Sequence, residues 1–272
     1  MKKIGIALGG GGARGICHIE FLKVLDELGI KPSIISGTSI GAIIGAMYAS
    51  GLSGLDIEKI VHEIDYKVFL KLLDFSILSR SSLIKGKGVE NFLNEHIPAD
   101  TFEELKIPLK VVATDFWREE DVVFETGELI PAIRGSLSIP AVFEPIVFQQ
   151  RVLIDGGTSN NLPFDIIRDY CDILIAIDVS GTKSFPIEPK IPNWFDNMMT
   201  SFQILQSSIV EHQMKISKPD IYIKPALKDV GILDFDKINF VLQSVRKDVK
   251  FFRQEMTNKL EHKKSILSFL DK

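Results

Sequence analysis

Cysteine is scarce. Cys17 and Cys171 are the two thiols among 272 residues, far apart and outside any C-x-x-C pairing. That argues against a disulfide framework or a cysteine-based metal site and leads to the expectation of a reduced, cytoplasmic chain. A surplus of positive charge is also missing. Lys and Arg number 32 against 36 Asp and Glu, a net charge of −4, so nothing suggests a general attraction to nucleic acid or anionic membrane. No leader pattern follows Met1-Lys2-Lys3, because the apolar run there is short and runs into glycines. Internal repeats and low-complexity segments are absent. One stretch imitates a membrane span: no charge occurs between Lys31 and Asp56, and Gly37, Gly41 and Gly45 fall at G-x-x-x-G spacing. Gly, Ser and Thr dilute its hydrophobicity and the chain before it reads as a strand, so a buried strand–turn–helix is expected instead.

With 45% hydrophobic and 25% charged residues, the chain can bury a sizeable core. Lys3–Leu8 is a short apolar run ending in four glycines, the pattern of a buried strand. From Ala13 to Leu28, apolar residues recur at three and four positions, predicting a helix that stops at Gly29. Pro32–Ser36 reads as a second strand and Ile40–Ala49 as a small-residue helix. Strand–helix–strand–helix implies a parallel sheet with right-handed crossovers. Further strands are predicted at Leu109–Thr114, Asp121–Glu125, Gln150–Ile154, Ile173–Val179 and Ile221–Ile223. Helices are predicted at about Trp194–Ile216 and Ile238–Leu260. Leu55–Leu93 reads as helices and loops, with apolar residues crowded from Phe69 to Leu78, and Gly181–Pro192 as loop. One α/β domain over residues 1–272 is the simplest account, with a core at about 4–180 and a C-terminal elaboration at about 190–272.

Three stretches carry possible chemistry. Gly37-Thr38-Ser39-Ile40-Gly41 fits G-x-S-x-G between a strand and a helix, the context in which a tight turn presents a nucleophilic serine. Glycine is needed at both ends for lack of bulk, and the positive end of the helix favours developing negative charge. Gly9-Gly10-Gly11-Gly12-Ala13-Arg14-Gly15 also lies at a strand-to-helix junction, where unobstructed N–H groups can converge on an oxyanion. The same letters satisfy the dinucleotide fingerprint G-x-G-x-x-G. That reading needs an acidic residue near the end of the second strand, where this chain has Ser36-Gly37-Thr38-Ser39. Asp155 in Asp155-Gly156-Gly157 follows a strand and sits in a tight turn at the sheet's rim, where open α/β sheets bind ligands. Capping a turn is the plainer role for such an aspartate.

In this order the stretches resemble the patatin-like phospholipases over about the first 180 residues. Gly10–Gly15 matches the glycine-rich oxyanion block with its basic residue, Gly37–Gly41 the nucleophile block and Asp155-Gly156-Gly157 the D-G-[GA] block. Ile133–Pro145 looks like the fourth block, with Gly135-Ser136 where A-S is usual. The resemblance implies a three-layer α/β/α fold with a mainly parallel central sheet and a catalytic dyad. Ser39 is the nucleophile, Asp155 the general base and acid, and Gly10, Gly11, Gly12 and Ala13 supply the oxyanion donors. Arg14, Gly37, Gly41, Gly156 and Gly157 are supporting residues. It implies no metal, no cofactor and no nucleic-acid partner. The implied substrate is a lipid ester, reached by transient peripheral contact with a membrane, and the oligomeric state is left open. A catalytically silent lipid-binding protein on the same fold is the alternative. Among the five histidines, His212 and His262 follow Asp155 but sit in charged helical segments, and His18 near the glycine loop reads as a packing or hydrogen-bonded residue. All five, with His62 and His96, are expected to be dispensable for the chemistry.

Overall fold

The computed structural model describes residues 2–63, 82–182, 184, 188 and 191–270. In chain order the strands are β1 (Ile4–Leu8), β2 (Ile34–Thr38), β3 (Ser82–Ile84), β4 (Leu109–Asp115), β5 (Glu120–Phe124), β6 (Ala141–Phe143), β7 (Ile146–Phe148), β8 (Arg151–Asp155), β9 (Ile173–Ile177) and β10 (Ile221–Ile223). The helices are α1 (His18–Glu27), α2 (Ile40–Ala49), α3 (Gly54–Glu63), α4 (Lys87–His96), α5 (Leu129–Ser136), α6 (Trp194–Ile216), α7 (Ile238–Ser244) and α8 (Arg246–Leu270). Strands β10, β9, β1, β2 and β4 are mutually parallel, while β5 and β8 run antiparallel to β4 and β7 antiparallel to β8. β3 and β6 form a separate small sheet.

Side-chain alternation sorts the core into two layers. Ile4, Ile6 and Leu8 of β1 and Ile173, Ile175 and Ile177 of β9 join the large cluster with α1, α2, α7 and α8. Ala7, Leu174 and Ala176 face the other way, against Leu162, Phe164, Ile167 and Val210 of α6. A strand buried on both faces reads as a continuous apolar run, which is why β1 and β9 were visible in the sequence. The sheet between helical layers is the expected three-layer architecture. The charge-free stretch from Lys31 to Asp56 is a buried strand–turn–helix, and no described helix is long and apolar enough to cross a membrane.

Two helices differ from expectation. Gly12–Cys17 is a 3-10 segment and the α-helix begins only at His18, because the glycine loop is tied down by contacts that regular α-geometry would break. The C-terminal helix is interrupted at Val245, which is fully buried between α7 and α8. The crowded residues Phe69–Leu78, and half of the loop expected at Gly181–Pro192, lie outside the described residues.

Candidate active site

Ser39 stands between β2 and α2 with φ 55 and ψ −123, a backbone conformation that costs a non-glycine residue about 1–3 kcal/mol. Its surroundings enforce that geometry. A Cβ on Gly37 would run into the Gly41 carbonyl and one on Gly41 into the Leu8 carbonyl, so glycine is required on both sides. The Ser39 N–H donates to Ser136 Oγ at 2.8 Å. Ser136 belongs to the Ile133–Pro145 block, which therefore buttresses the turn. A Cβ on Gly135 would stand 2.7 Å from Leu153 Cδ1, so the alanine more usual there would require Leu153 to shift.

The sheet brings Asp155 to the same place. Val111 and Val112 pair with both β2 and β5, and Ala113–Asp115 with both β5 and β8. β2 and β8 must therefore share one edge of β4, meeting end to end. Thr38 is in register with Val112 and Asp155 with Ala113. The residue after Thr38 thus faces the C-terminal end of β8. Gly156 fits this junction because a Cβ there would collide with the Val112 carbonyl. Asp155 is fixed by its N–H donating to Ser138 O at 2.9 Å and its Oδ1 accepting from Gly157 N–H at 2.7 Å. The carboxyl is 2% exposed. Burial drives its pKa up to about 7, against hydrogen bonds from Ser39 and the Gly157 N–H that favour the charged form. A carboxylate with that pKa is poised as a base near neutrality.

The glycine loop narrows the choice of oxyanion donors. The Gly10 N–H donates to Asn161 O at 3.0 Å and the Ala13 N–H to Ile232 O at 2.9 Å. Both N–H groups, members of the expected four-residue donor set, are thus occupied by protein carbonyls. Among the described residues, the N–H groups of Gly11 and Gly12 have no protein partner, and both residues line the polar pocket beside Ser39. Gly12 has φ 58 and abuts the Ile232 carbonyl, so a side chain fits neither its backbone nor its space. Arg14 is buried. Its Nε donates to Gly11 O at 3.1 Å and its Nη1 to Ser180 O. Burial lowers its pKa to about 10, with Asp178 and Asp234 opposing, so it stays charged at neutral pH and holds the loop. His18 Nε2–H donates to Gly9 O at 2.9 Å, and burial lowers its pKa to about 4. It is a neutral loop anchor, as the hydrogen-bonded reading expected.

Two pockets meet at Ser39. One is polar on the side of Gly11, Gly12, Arg14, Asp155, Asn161 and Gln206 and apolar where Ile139, Met199, Phe202 and Ile232 close it. The other is apolar, about 110 Å³ and partly open to solvent, running along α2 past Ile40, Ile43, Ile44 and Met47 and walled by Phe92, Phe143, Ile232 and Phe235. Its wall from the C-terminal segment was not anticipated, since nothing in a run such as Ile232-Leu233-Asp234-Phe235 marks which cavity it will face. Asn161 was also missed, being one asparagine in an ordinary loop.

The family model for patatin-like phospholipase matches residues 6–168. An uncharacterized NTE family protein of Mycobacterium tuberculosis is 32% identical over 211 residues, covering 75% of this chain and 57% of the relative. Neuropathy target esterase sws of Drosophila melanogaster is 33% identical over 66% of this chain and 13% of its own length. Lysophospholipase NTE1 of Kluyveromyces lactis is 26% identical over 89% and 18%. The chain thus spans little more than half of the mycobacterial relative and a small part of the other two. Among solved structures, VipD from Legionella pneumophila shares the fold, with TM-score 0.52 and 14% identity over 93% of this chain and 67% of that one. The chain belongs to the patatin-like phospholipase family.

Proposed function

We propose that this protein is a serine acyl hydrolase that cleaves carboxylic esters of lipids through a Ser39–Asp155 dyad. The observation that carries the reading is the meeting, at one strained serine hydroxyl, of a buried carboxylate with a pKa of about 7 and an apolar pocket. Asp155 accepts the Ser39 proton as Oγ attacks the ester carbonyl. A carboxylate is too weak a base to form a free alkoxide, so the proton moves with the attack. Charge on the former carbonyl oxygen is met by the Gly11 and Gly12 N–H groups and the N-terminus of α2. The C–O bond then breaks, and the leaving alcohol takes the proton from Asp155. Water repeats the sequence on the acyl-enzyme: Asp155 takes its proton, hydroxide adds, and Ser39 leaves with the proton restored.

The apolar pocket accommodates the acyl chain and the polar one the leaving alcohol. That two relatives are called a lysophospholipase and an esterase supports an ester of a fatty acid as substrate, in the class of phospholipids, lysophospholipids and related esters. Transient contact with a lipid surface would deliver it. The test is covalent capture by a fluorophosphonate probe followed by mass spectrometry. Labelling at Ser39, absent from Ser39→Ala, is the expected result. A folded protein that takes up no probe would instead be a silent lipid-binding member of the fold.

A further inference from the structure

Asn161 touches the glycine loop more intimately than any residue the family motifs name. It is 1% exposed. Its backbone O accepts from Gly10 N–H at 3.0 Å, and its side-chain Nδ2 donates to Gly10 O at 3.1 Å. One residue 151 positions away therefore grips both polar groups of Gly10. Its Oδ1 has no hydrogen-bond partner among the described residues and occupies the space beside two glycines. A Cβ on Gly10 would lie 2.6 Å from that oxygen, and one on Gly157 would lie 2.7 Å from it. The amide is thus wedged between the oxyanion loop and the turn that carries Asp155.

The consequence follows from peptide geometry. Across a planar trans peptide, C=O and N–H point in opposite directions. By holding Gly10 O, Asn161 fixes the Gly10–Gly11 plane and turns the Gly11 N–H away from itself. Arg14 does the same to the next plane by holding Gly11 O, which turns the Gly12 N–H. Both unpartnered donors thus have their preceding carbonyls gripped by side chains; His18 grips Gly9 O in the same way, but the Gly10 N–H that follows is taken by Asn161 O.

We propose that Asn161 is the positioning residue of the oxyanion hole, setting the direction of the Gly11 N–H through its hold on Gly10 O. This rests on the reading of Ser39 as nucleophile. It also accounts for an amide rather than a carboxylate at 161: Nδ2 must donate to a carbonyl, and a charge on Oδ1 would oppose the oxyanion.

The test uses the full chain, a p-nitrophenyl ester and a trifluoromethyl ketone, which forms a tetrahedral adduct with a nucleophilic serine. Asn161→Ala and the isosteric Asn161→Asp should lower kcat by about 10²-fold, the loss typical of one missing oxyanion donor, with KM changed less than about threefold. Affinity for the ketone should fall in parallel with kcat/KM, while the pH midpoint of kcat/KM for Asn161→Ala stays at the wild-type value. A fall in kcat without loss of ketone affinity, a displaced midpoint in Asn161→Ala, or an unchanged kcat overturns the proposal. Should either variant not fold, Asn161→Ser keeps the backbone acceptor and carries the same comparison. If the wild-type protein is not labelled at Ser39 by a fluorophosphonate, the dyad reading has failed instead.

Discussion

The two sides of Ser39 are built by opposite means. On the polar side every group is over-determined: Ser39 by Ser136 and two obligatory glycines, Asp155 by Ser138 and Gly157, the glycine loop by Arg14, His18 and Asn161. On the apolar side, the pocket is walled by aliphatic and aromatic side chains from α2, α4, the loop before β6 and the segment leading into α7. Directional chemistry needs fixed atoms. A chain of methylenes needs only a dry volume, and dispersion contacts are individually weak and interchangeable. Substitutions on the polar side should therefore abolish reaction, whereas those on the apolar side should redistribute it among substrates.

The largest contrast is expected at the dyad. Ser39→Ala should reduce kcat by about 10⁴-fold or more, the scale of losing a nucleophile, and by the same factor for acetate and long-chain esters. A loss confined to long-chain esters would erase the distinction between the two sides. Asp155→Asn should be as damaging to hydrolysis yet gain stability. The carboxyl has its pKa raised from 3.8 to about 7 by burial. Its contribution to stability is therefore full below about pH 4, falls as pH rises through 7 and is constant above. Removing the ionisable group relieves a cost of about 4 kcal/mol above pH 8. Chemical denaturation at pH 5 and pH 9 measures this: the variant should exceed wild type at pH 9 and approach it at pH 5. A variant weaker at both pH values would mean that the charge is not buried at a cost.

The same pKa sets the pH–rate profile. With Asp155 as base, kcat/KM on an uncharged ester should rise about tenfold per pH unit below 6 and level off above about 7. His18, held neutral with a pKa near 4, cannot supply that limb. His18→Ala should lower stability by removing the Gly9 anchor while leaving the midpoint in place. A midpoint that moves with His18 would return a histidine to the mechanism.

This division also explains what could be read from the sequence. β1, β2, α2 and β9 are short apolar or small-residue runs legible from their own residues, and the turns at Gly37–Gly41 and Asp155–Gly157 carry glycines for steric reasons that hold within a few residues. The selection of Gly11 and Gly12 over Gly10 and Ala13 depends on which N–H groups Asn161 and Ile232 capture, a matter of tertiary contact. The end-to-end meeting of β2 and β8 on one edge of β4 is likewise set by sheet order, although each strand was individually visible. The apolar wall was least legible, because Ile and Phe lining a pocket are indistinguishable in sequence from Ile and Phe filling a core.

That ambiguity can be resolved at Ile43, one turn into α2, half-buried and on the pocket wall. Because it is only half-buried, a larger side chain can enter the open space without overpacking the core, as it would at the fully buried Ile44 or Met47. Ile43→Trp should obstruct the pocket close to Ser39. A decanoate ester would then lose about tenfold or more in kcat/KM, the scale of a contact of one or two methylenes, while an acetate ester, which does not reach past Ile43, changes less than about threefold. The opposite change, Ile43→Ala, should shift the preference toward longer chains by a smaller factor, since an open pocket gains little from more space. Equal losses on both esters with Ile43→Trp would show that the substitution disturbs the elbow rather than the acyl chain. No loss on either would place the acyl chain elsewhere and leave the apolar pocket as core that failed to close.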